Sequence, residues 1–341
     1  MALKSKPSGL VFPLLRISRR WLAPVLKVGI TLAALSYIFI KLKSEGQVVW
    51  ETVSTRSTSD MFIALAALIL MPLNLGLESE KWRVMIRFFY PDLSRIRAFQ
   101  AVLSGLATGV FTPNRIGEYA GRVLYLEAGK RIEAIALTFV DRICQMFITM
   151  TVGTFAFAFL ISAYESTIAA LTGLPVLYPR ILVGMLLLAN AIGFLVLMYA
   201  YPLAKQVIPE GSRNKYLRKI RLALRRLERA VVIRVVLLGL FRYCVFSIQY
   251  YLLMLAFGYS GNLMLGLVLI WSVFLVKSVI PYISLSELGV RESVAIAIMG
   301  AFGISAGIAF AATFVLYLFN IVLPSLGGLF FFYRIRLYLK E

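Results

Sequence analysis

Histidine is absent from this 341-residue chain. Zinc-hydrolase sites and Ser-His-Asp triads are excluded with it, because each needs an imidazole. Cysteine is nearly absent. Cys144 and Cys244 each sit in an apolar stretch, and neither has a C-x-x-C partner. Metal or redox use is therefore not expected, and both read as small buried apolar residues. Acidic residues are scarce: 16, against 36 Lys and Arg, for a formal charge of +20. Charge of either sign makes up only 15% of the chain, and no long hydrophilic stretch leaves room for a soluble domain. A soluble domain averages about 25% charged and about 45–50% apolar residues. Here the apolar share is 60% and the mean hydropathy is +0.85. The chain reads as a single polytopic membrane domain over 1–341. An excess of +20 suggests nucleic acid in a soluble protein. Without a recognised binding fold to accompany it, no nucleic-acid partner is expected.

A span needs roughly 20 mostly apolar residues. Six segments qualify, at about 21–40, 61–77, 134–161, 181–201, 231–257 and 307–333. The N-terminus does not read as a cleaved signal, because no small-residue cleavage site follows the first apolar segment. Two further stretches, 98–127 and 262–302, are broken by prolines and polar residues and read as re-entrant hairpins. With that topology, segments 1–20, 78–97, 128–133, 203–230 and 334–341 share one side and hold 24 Lys and Arg. The other side holds Lys41, Lys43, Arg56 and Arg180. The positive-inside rule then places both termini in the cytosol. The expected location is a bacterial cytoplasmic (inner) membrane.

This orientation makes the first hairpin open inward and the second outward. Residues 61–161 and 231–333 thus form two halves of an inverted repeat, a plan used by secondary transporters. The breaks echo one another. The first runs Pro113-Asn114-Arg115-Ile116-Gly117-Glu118-Tyr119-Ala120-Gly121-Arg122. The second contains Pro281, then Glu287-Leu288-Gly289-Val290-Arg291-Glu292. In each, Arg follows Glu by four residues, which puts the pair on one helix face. Pro113, Gly117, Pro281 and Gly289 are expected to shape the breaks.

Charges retained at membrane depth need a partner or water, since each costs about 2.5–3.5 kcal/mol on insertion scales. The sequence directs attention to Arg115, Glu118, Arg122, Arg142, Arg242, Lys277, Glu287, Arg291 and Glu292. Arg122, Lys277 and Arg291 are expected to hold phosphate, with Arg115, Arg142 and Arg242 assisting. Glu118 and Glu287 are expected to be their internal counter-ions. Gln249 shares the Arg242 face, and Asn74 and Glu78 extend a polar face at the end of the second span. In 203–230, Leu217, Ile220, Leu224, Leu227 and Val231 recur at helical spacing among arginines. This segment reads as a basic amphipathic helix on the cytosolic leaflet. Topology enforcement is the plainer reading of the same charge.

The stretch Thr112–Arg122 resembles the T-P-x-R-x-G-E motif, with its following Arg, of the lysylphosphatidylglycerol synthase transmembrane-region family. Glu287–Glu292 resembles that family's second signature, and Asp141-Arg142 its acidic-Arg pair. The resemblance runs from about residue 20 to 335. Gln145 stands where the family often has a second acid, and Ser286 where it often has Gly. The resemblance implies a flippase-like integral membrane protein that handles phospholipids, aminoacylated phospholipids or polyprenyl-phosphate-linked lipids. Because the chain runs only eight residues past Tyr333, a stand-alone region without a soluble synthase domain is expected.

Together these readings predict an all-α polytopic protein with about six full spans and two re-entrant hairpins. Its expected work is lipid translocation rather than catalysis, without metal or cofactor. Its expected partners are lipids with anionic headgroups and a cell-envelope lipid synthase. Two other readings stay open: an intramembrane enzyme acting on lipid phosphates, and a non-transporting scaffold for an envelope synthase.

Overall fold

Helix α1 (Thr58–Ile86) starts where Ser57 and Asp60 cap each other's backbone N–H groups, at 3.3 and 3.1 Å. Such a capping box satisfies two of the orphan donors at a helix start. The structure is a computed structural model that describes residues 56–110, 112, 115–126, 128–207, 213–280 and 287–334, with isolated positions between 36 and 54. The expected span at 21–40 lies outside these residues, as do Pro113, Asn114, Pro281 and Ser286 and the side chain of Glu287.

After α1 come α2 (Arg95–Gly109), α3 (Ile116–Leu124), α4 (Arg131–Ala163), α5 (Glu165–Thr172), α6 (Leu177–Val207) and α7 (Lys215–Arg225). The chain continues through α8 (Arg229–Ala256), α9 (Leu263–Val279), α10 (Glu287–Ala301), α11 (Ala306–Tyr317) and α12 (Leu323–Arg334). A π-helical turn, Leu318–Val322, joins α11 to α12 without breaking the rod. No strand occurs among the described residues. Five helical segments are long and apolar enough to cross a membrane: Thr58–Ile86, Arg131–Ala163, Leu177–Tyr199, Arg229–Ala256 and Ala306–Phe332. They coincide with the five expected spans that lie in the described residues. The protein is an all-α, multi-pass membrane protein.

Each interrupted stretch contains two helices, α2 and α3 in the first and α9 and α10 in the second. Helices α2 and α9 begin with side-chain caps, Ser94 and Asn262. Helix α3 packs back along α2, and α10 along α9. The long-range packing is reciprocal. Helix α1 lies along α8, α4 lies along α9, and α12 lies along α2. The long helix that follows the first interrupted stretch thus packs on the second stretch, and the last helix packs on the first.

Two apolar cores flank the centre. One gathers Trp82, Met85, Ile86, Leu137, Cys144 and Val235. The other gathers Tyr243, Tyr250, Leu253, Val273, Phe274 and Leu316. Phe274 stacks on Phe246 with ring centroids 5.3 Å apart. Helix α6 presents Ile181, Leu182, Met185, Leu188, Ile192 and Phe194 outward. Such a surface suits lipid, where the helix has already satisfied its own backbone groups.

Two expectations are corrected here. Helix α1 continues nine residues beyond 77, because the charges that seemed to end it pair inside the protein. Lys81 is thus fully buried rather than part of a cytosolic loop. Cys144 is buried but Cys244 is exposed on α8, its face turned away from the core. In the basic segment, α7 is docked on α4 and α6, with Ala223 and Arg221 buried.

Candidate functional site

Helix α3 carries Glu118 and Arg122 on one face, and Arg122 Nη2 donates to Glu118 Oε1 at 2.5 Å. The same nitrogen donates to Glu78 Oε1 of α1 at 2.6 Å. The Arg122 guanidinium also lies over the Trp82 ring, 5.9 Å from its centroid. Trp82 is held in turn by its indole N–H, which donates to Thr138 Oγ1 at 2.9 Å.

Glu78 is the hub of the cluster. Besides Arg122 it meets Lys81 Nζ at 2.9 Å, Arg242 Nε at 3.3 Å and Arg142 Nη2 at 3.8 Å. Arg142 makes a closer pair with Glu118. Lys81 lies 3.4 Å from Asp141 Oδ1. Gln145 Oε1 accepts from both Lys81 Nζ, at 3.2 Å, and Arg242 Nη1, at 3.3 Å. The neutral amide thus serves two cations where an acid was looked for.

The start of α3 is strained. Arg115 has φ 56° and ψ 30°, the left-handed region, at a non-glycine residue. Such a conformation costs of order 1–3 kcal/mol and persists only where neighbours over-determine it. Here Thr112 Oγ1 accepts from Gly117 N at 2.9 Å. Thr108 donates its hydroxyl to the Gly117 carbonyl at 2.7 Å. A Cβ on Gly117 would run into the Thr108 carbonyl. The strained residue projects its guanidinium beside Glu118, with Nη2 3.7 Å from Oε2.

On the other side stand Lys277 of α9 and Arg291 and Glu292 of α10. Arg291 and Glu292 are each 5% exposed. Arg291 Nε lies 3.9 Å from Glu292 Oε1, and its guanidinium lies 5.0 Å from the Tyr317 ring centroid. A chain of amides joins the two sides. Asn74 Nδ2 donates to Asn320 Oδ1 at 2.5 Å, Asn320 Nδ2 to Gln249 Oε1 at 2.9 Å, and Gln249 Nε2 to the Ala67 carbonyl at 2.9 Å. Asn320 belongs to the π turn, a feature that accompanies functional sites in long helices.

Between these groups lies a cavity of ≈ 130 Å³. Arg115, Glu118, Arg142, Arg242, Lys277 and Arg291, all expected from the sequence, line it together with Glu78, Asn74 and Asn320. Arg122 does not. It is fully buried and ion-paired with Glu78 and Glu118. Glu292 likewise sits behind Arg291, off the cavity wall. Gly289 lies within α10, and an added Cβ there would meet nothing within 4 Å. Among the described residues, no group of three His, Cys, Asp or Glu is placed to hold a metal ion.

Lys81 and Asn320 were missed in the sequence. Lys81 had a signal, its i,i+3 spacing from Glu78. Asn320 had a weaker one, as the single amide in an apolar run.

Fold and site define a polytopic helical membrane protein with a charged cavity between two interrupted helical units. Residues 25–328 match the model of the family described as the lysylphosphatidylglycerol synthase TM region, and the chain belongs to that family. It is a membrane family tied to lipid or envelope synthesis. No curated protein shows significant similarity to the chain.

Proposed function

We propose that this protein translocates a lipid with a phosphate-bearing headgroup across the bacterial cytoplasmic membrane. The headgroup crosses in the central cavity while the acyl or prenyl tails stay in the bilayer. One observation carries the reading: five basic side chains and two acids line a single cavity among helices long and apolar enough to cross a membrane. A cluster of that kind is costly in lipid unless a ligand or water uses it.

Arg115, Arg142, Arg242, Lys277 and Arg291 bind the phosphate, arginine being suited to bidentate contact. Glu78 and Glu118 hold these cations when the cavity is empty and release some of them as the phosphate arrives. Glu287 and Glu292 do the same for the α10 side. The reciprocal packing of α4 on α9 and of α12 on α2 supports an inverted repeat. Its two hairpins, re-entrant from opposite sides, alternate access to the fixed site. Both termini lie in the cytosol, as the distribution of Lys and Arg favours. The protein performs no chemistry, and a cell-envelope lipid synthase supplies or consumes its cargo.

Reconstitution into liposomes, with a headgroup-accessibility assay on labelled phosphate lipids, tests this. The protein is expected to move at least one of them faster than protein-free vesicles do. Arg291→Gln is expected to slow that movement at least about tenfold, the effect of about 1.4 kcal/mol at the barrier, with membrane insertion intact. Protein-free rates for every phosphate lipid would remove the reading.

A further inference from the structure

The cavity wall carries a fixed excess of positive charge. Among the described side chains that line it, Arg115, Arg142, Arg242, Lys277 and Arg291 stand beside two acids, Glu78 and Glu118. The groups immediately behind do not change the balance. Buried Lys81 and Arg122 are offset by buried Asp141 and Glu292. Seven cations therefore stand against four acids among the described side chains. Glu287 begins α10, and even if its charge is set wholly against the cavity, an excess of two remains.

The hydrogen-bonding capacity points the same way. Arg291 is 5% exposed, yet its Nε and Nη2 are buried without a hydrogen-bond acceptor. The same two nitrogens of Arg115 are also without one. Buried guanidinium donors are normally satisfied. These four belong to two residues that line the cavity from α10 and from the strained start of α3. Two of them, Arg115 Nη2 and Arg291 Nε, have a carboxylate oxygen only at ion-pair distance, 3.7 and 3.9 Å.

We infer that the cavity takes a headgroup with two negative charges on phosphate, a phosphomonoester or a diphosphate, and rejects aminoacylated phosphatidylglycerol. This rests on the cavity being a headgroup site and not on transport itself. A phosphomonoester carries close to two charges near neutral pH, because its second proton leaves with a pKa of about 6. That matches the excess left once Glu287 is counted. A phosphodiester such as phosphatidylglycerol carries one charge and leaves the excess unmet. Its lysyl ester adds two ammonium groups, becomes net positive and enlarges the excess. Its ammonium groups also offer no acceptor to the Arg115 and Arg291 guanidinium groups. Like charges brought together at low dielectric repel strongly, so the discrimination is steep.

The purified full chain in neutral detergent at pH 8 tests this by calorimetric titration with four probes. These are dodecyl phosphate, its methyl ester, a short-chain lysyl ester of phosphatidylglycerol, and inorganic phosphate. Dodecyl phosphate and its methyl ester share a tail and differ by one charge. The first is expected to bind at least about tenfold more tightly. The lysyl ester is expected not to compete. Inorganic phosphate is expected to bind more weakly than dodecyl phosphate, because the tail contributes. Equal affinity for dodecyl phosphate and its methyl ester overturns the proposal, as does effective competition by the lysyl ester. Inorganic phosphate binding as tightly as dodecyl phosphate overturns the lipid assignment.

Two variants check the cause. Arg291→Gln is expected to reduce the preference for dodecyl phosphate to about twofold or less. Should that variant misfold, Gln145→Glu serves instead. It is isosteric and adds an acid between Lys81 and Arg242, so it is expected to weaken dodecyl phosphate binding about tenfold. Unchanged binding in Gln145→Glu overturns the charge argument. A charge preference in a protein that moves no lipid removes translocation and leaves this inference standing. Movement of the lysyl ester in liposomes does the reverse.

Discussion

Glu78→Gln is expected to lower the thermal midpoint of the purified protein more than any other single neutralisation at the cavity. Glu78 is 4% exposed and lies within 4 Å of four cations: Lys81, Arg122, Arg142 and Arg242. The amide keeps the shape but removes the charge that all four share. Removing one partner of a buried ion pair typically costs about 3–5 kcal/mol, because the other charge is left uncompensated in low dielectric. Restoring the balance should restore much of the stability. Lys81→Met removes a cation that touches Glu78 and Asp141. The double variant Glu78→Gln/Lys81→Met is therefore expected to be more stable than Glu78→Gln alone, a strong non-additivity of neighbouring sites. Thermal denaturation followed by size-exclusion chromatography reads both effects. A wild-type midpoint for Glu78→Gln, or a double variant no more stable than the single, would contradict the hub role. Arg180 and Glu165 provide the contrast, an exposed pair at 3.1 Å whose loss is expected to change little.

The second large effect is expected from Gly121→Ala. Gly121 sits where α3 crosses α2, and an added Cβ there would lie 2.7 Å from the Ser104 carbonyl oxygen and 2.8 Å from the Gly105 Cα. Both obstacles are backbone and cannot rotate away. The facing position is equally tight. A Cβ on Gly105 would lie 2.9 Å from the Glu118 carbonyl oxygen. Small residues that let helix backbones approach closely are the usual basis of packing in lipid. A methyl group at 121 must part α2 from α3, carrying Glu118 and Arg122 away from Glu78. Transport in liposomes is expected to fall to the protein-free rate, with a lowered thermal midpoint. Gly76→Ala is the control, because nothing lies within 4 Å of the added atom. Alanine in a helix interior is favoured over glycine by about 0.8–1.0 kcal/mol, so this variant should be at least as stable as wild type. If Gly121→Ala and Gly76→Ala behave alike, the close crossing does not matter.

Much of the architecture was legible because lipid imposes a simple grammar. Apolar length marks a span, and a broken apolar run marks an interrupted one. The Glu118–Arg122 pair was legible from four-residue spacing alone. What spacing hid was the third partner. Arg122 reads as a ligand cation by its motif, yet Glu78 and Trp82 enclose it completely. Lys81 was assigned to a loop because charges near the end of an apolar run read as the water boundary. Its burial depends on Asp141 and Gln145, on a different helix. Asn320 was silent because a π turn cannot be told from an α-helix by composition. That turn is what places the amide between Asn74 and Gln249.

Sequence by itself determined the class of this protein: an all-helical membrane chain, the five spans within the described residues and most of the charges that line the cavity. These follow from local properties, hydropathy and helical period, which a run of neighbouring residues carries on its own. Tertiary structure alone decided which charges neutralise one another and which are left over. Arg122 meets Glu78 across 44 residues of chain, and Asn74 meets Asn320 across 246. Whether a buried cation is a strut or a binding group depends on ångström distances between helices, because Coulomb attraction at low dielectric rises steeply at contact. The scarcity of acids was visible from the composition, but its concentration on one cavity wall was a property of the fold.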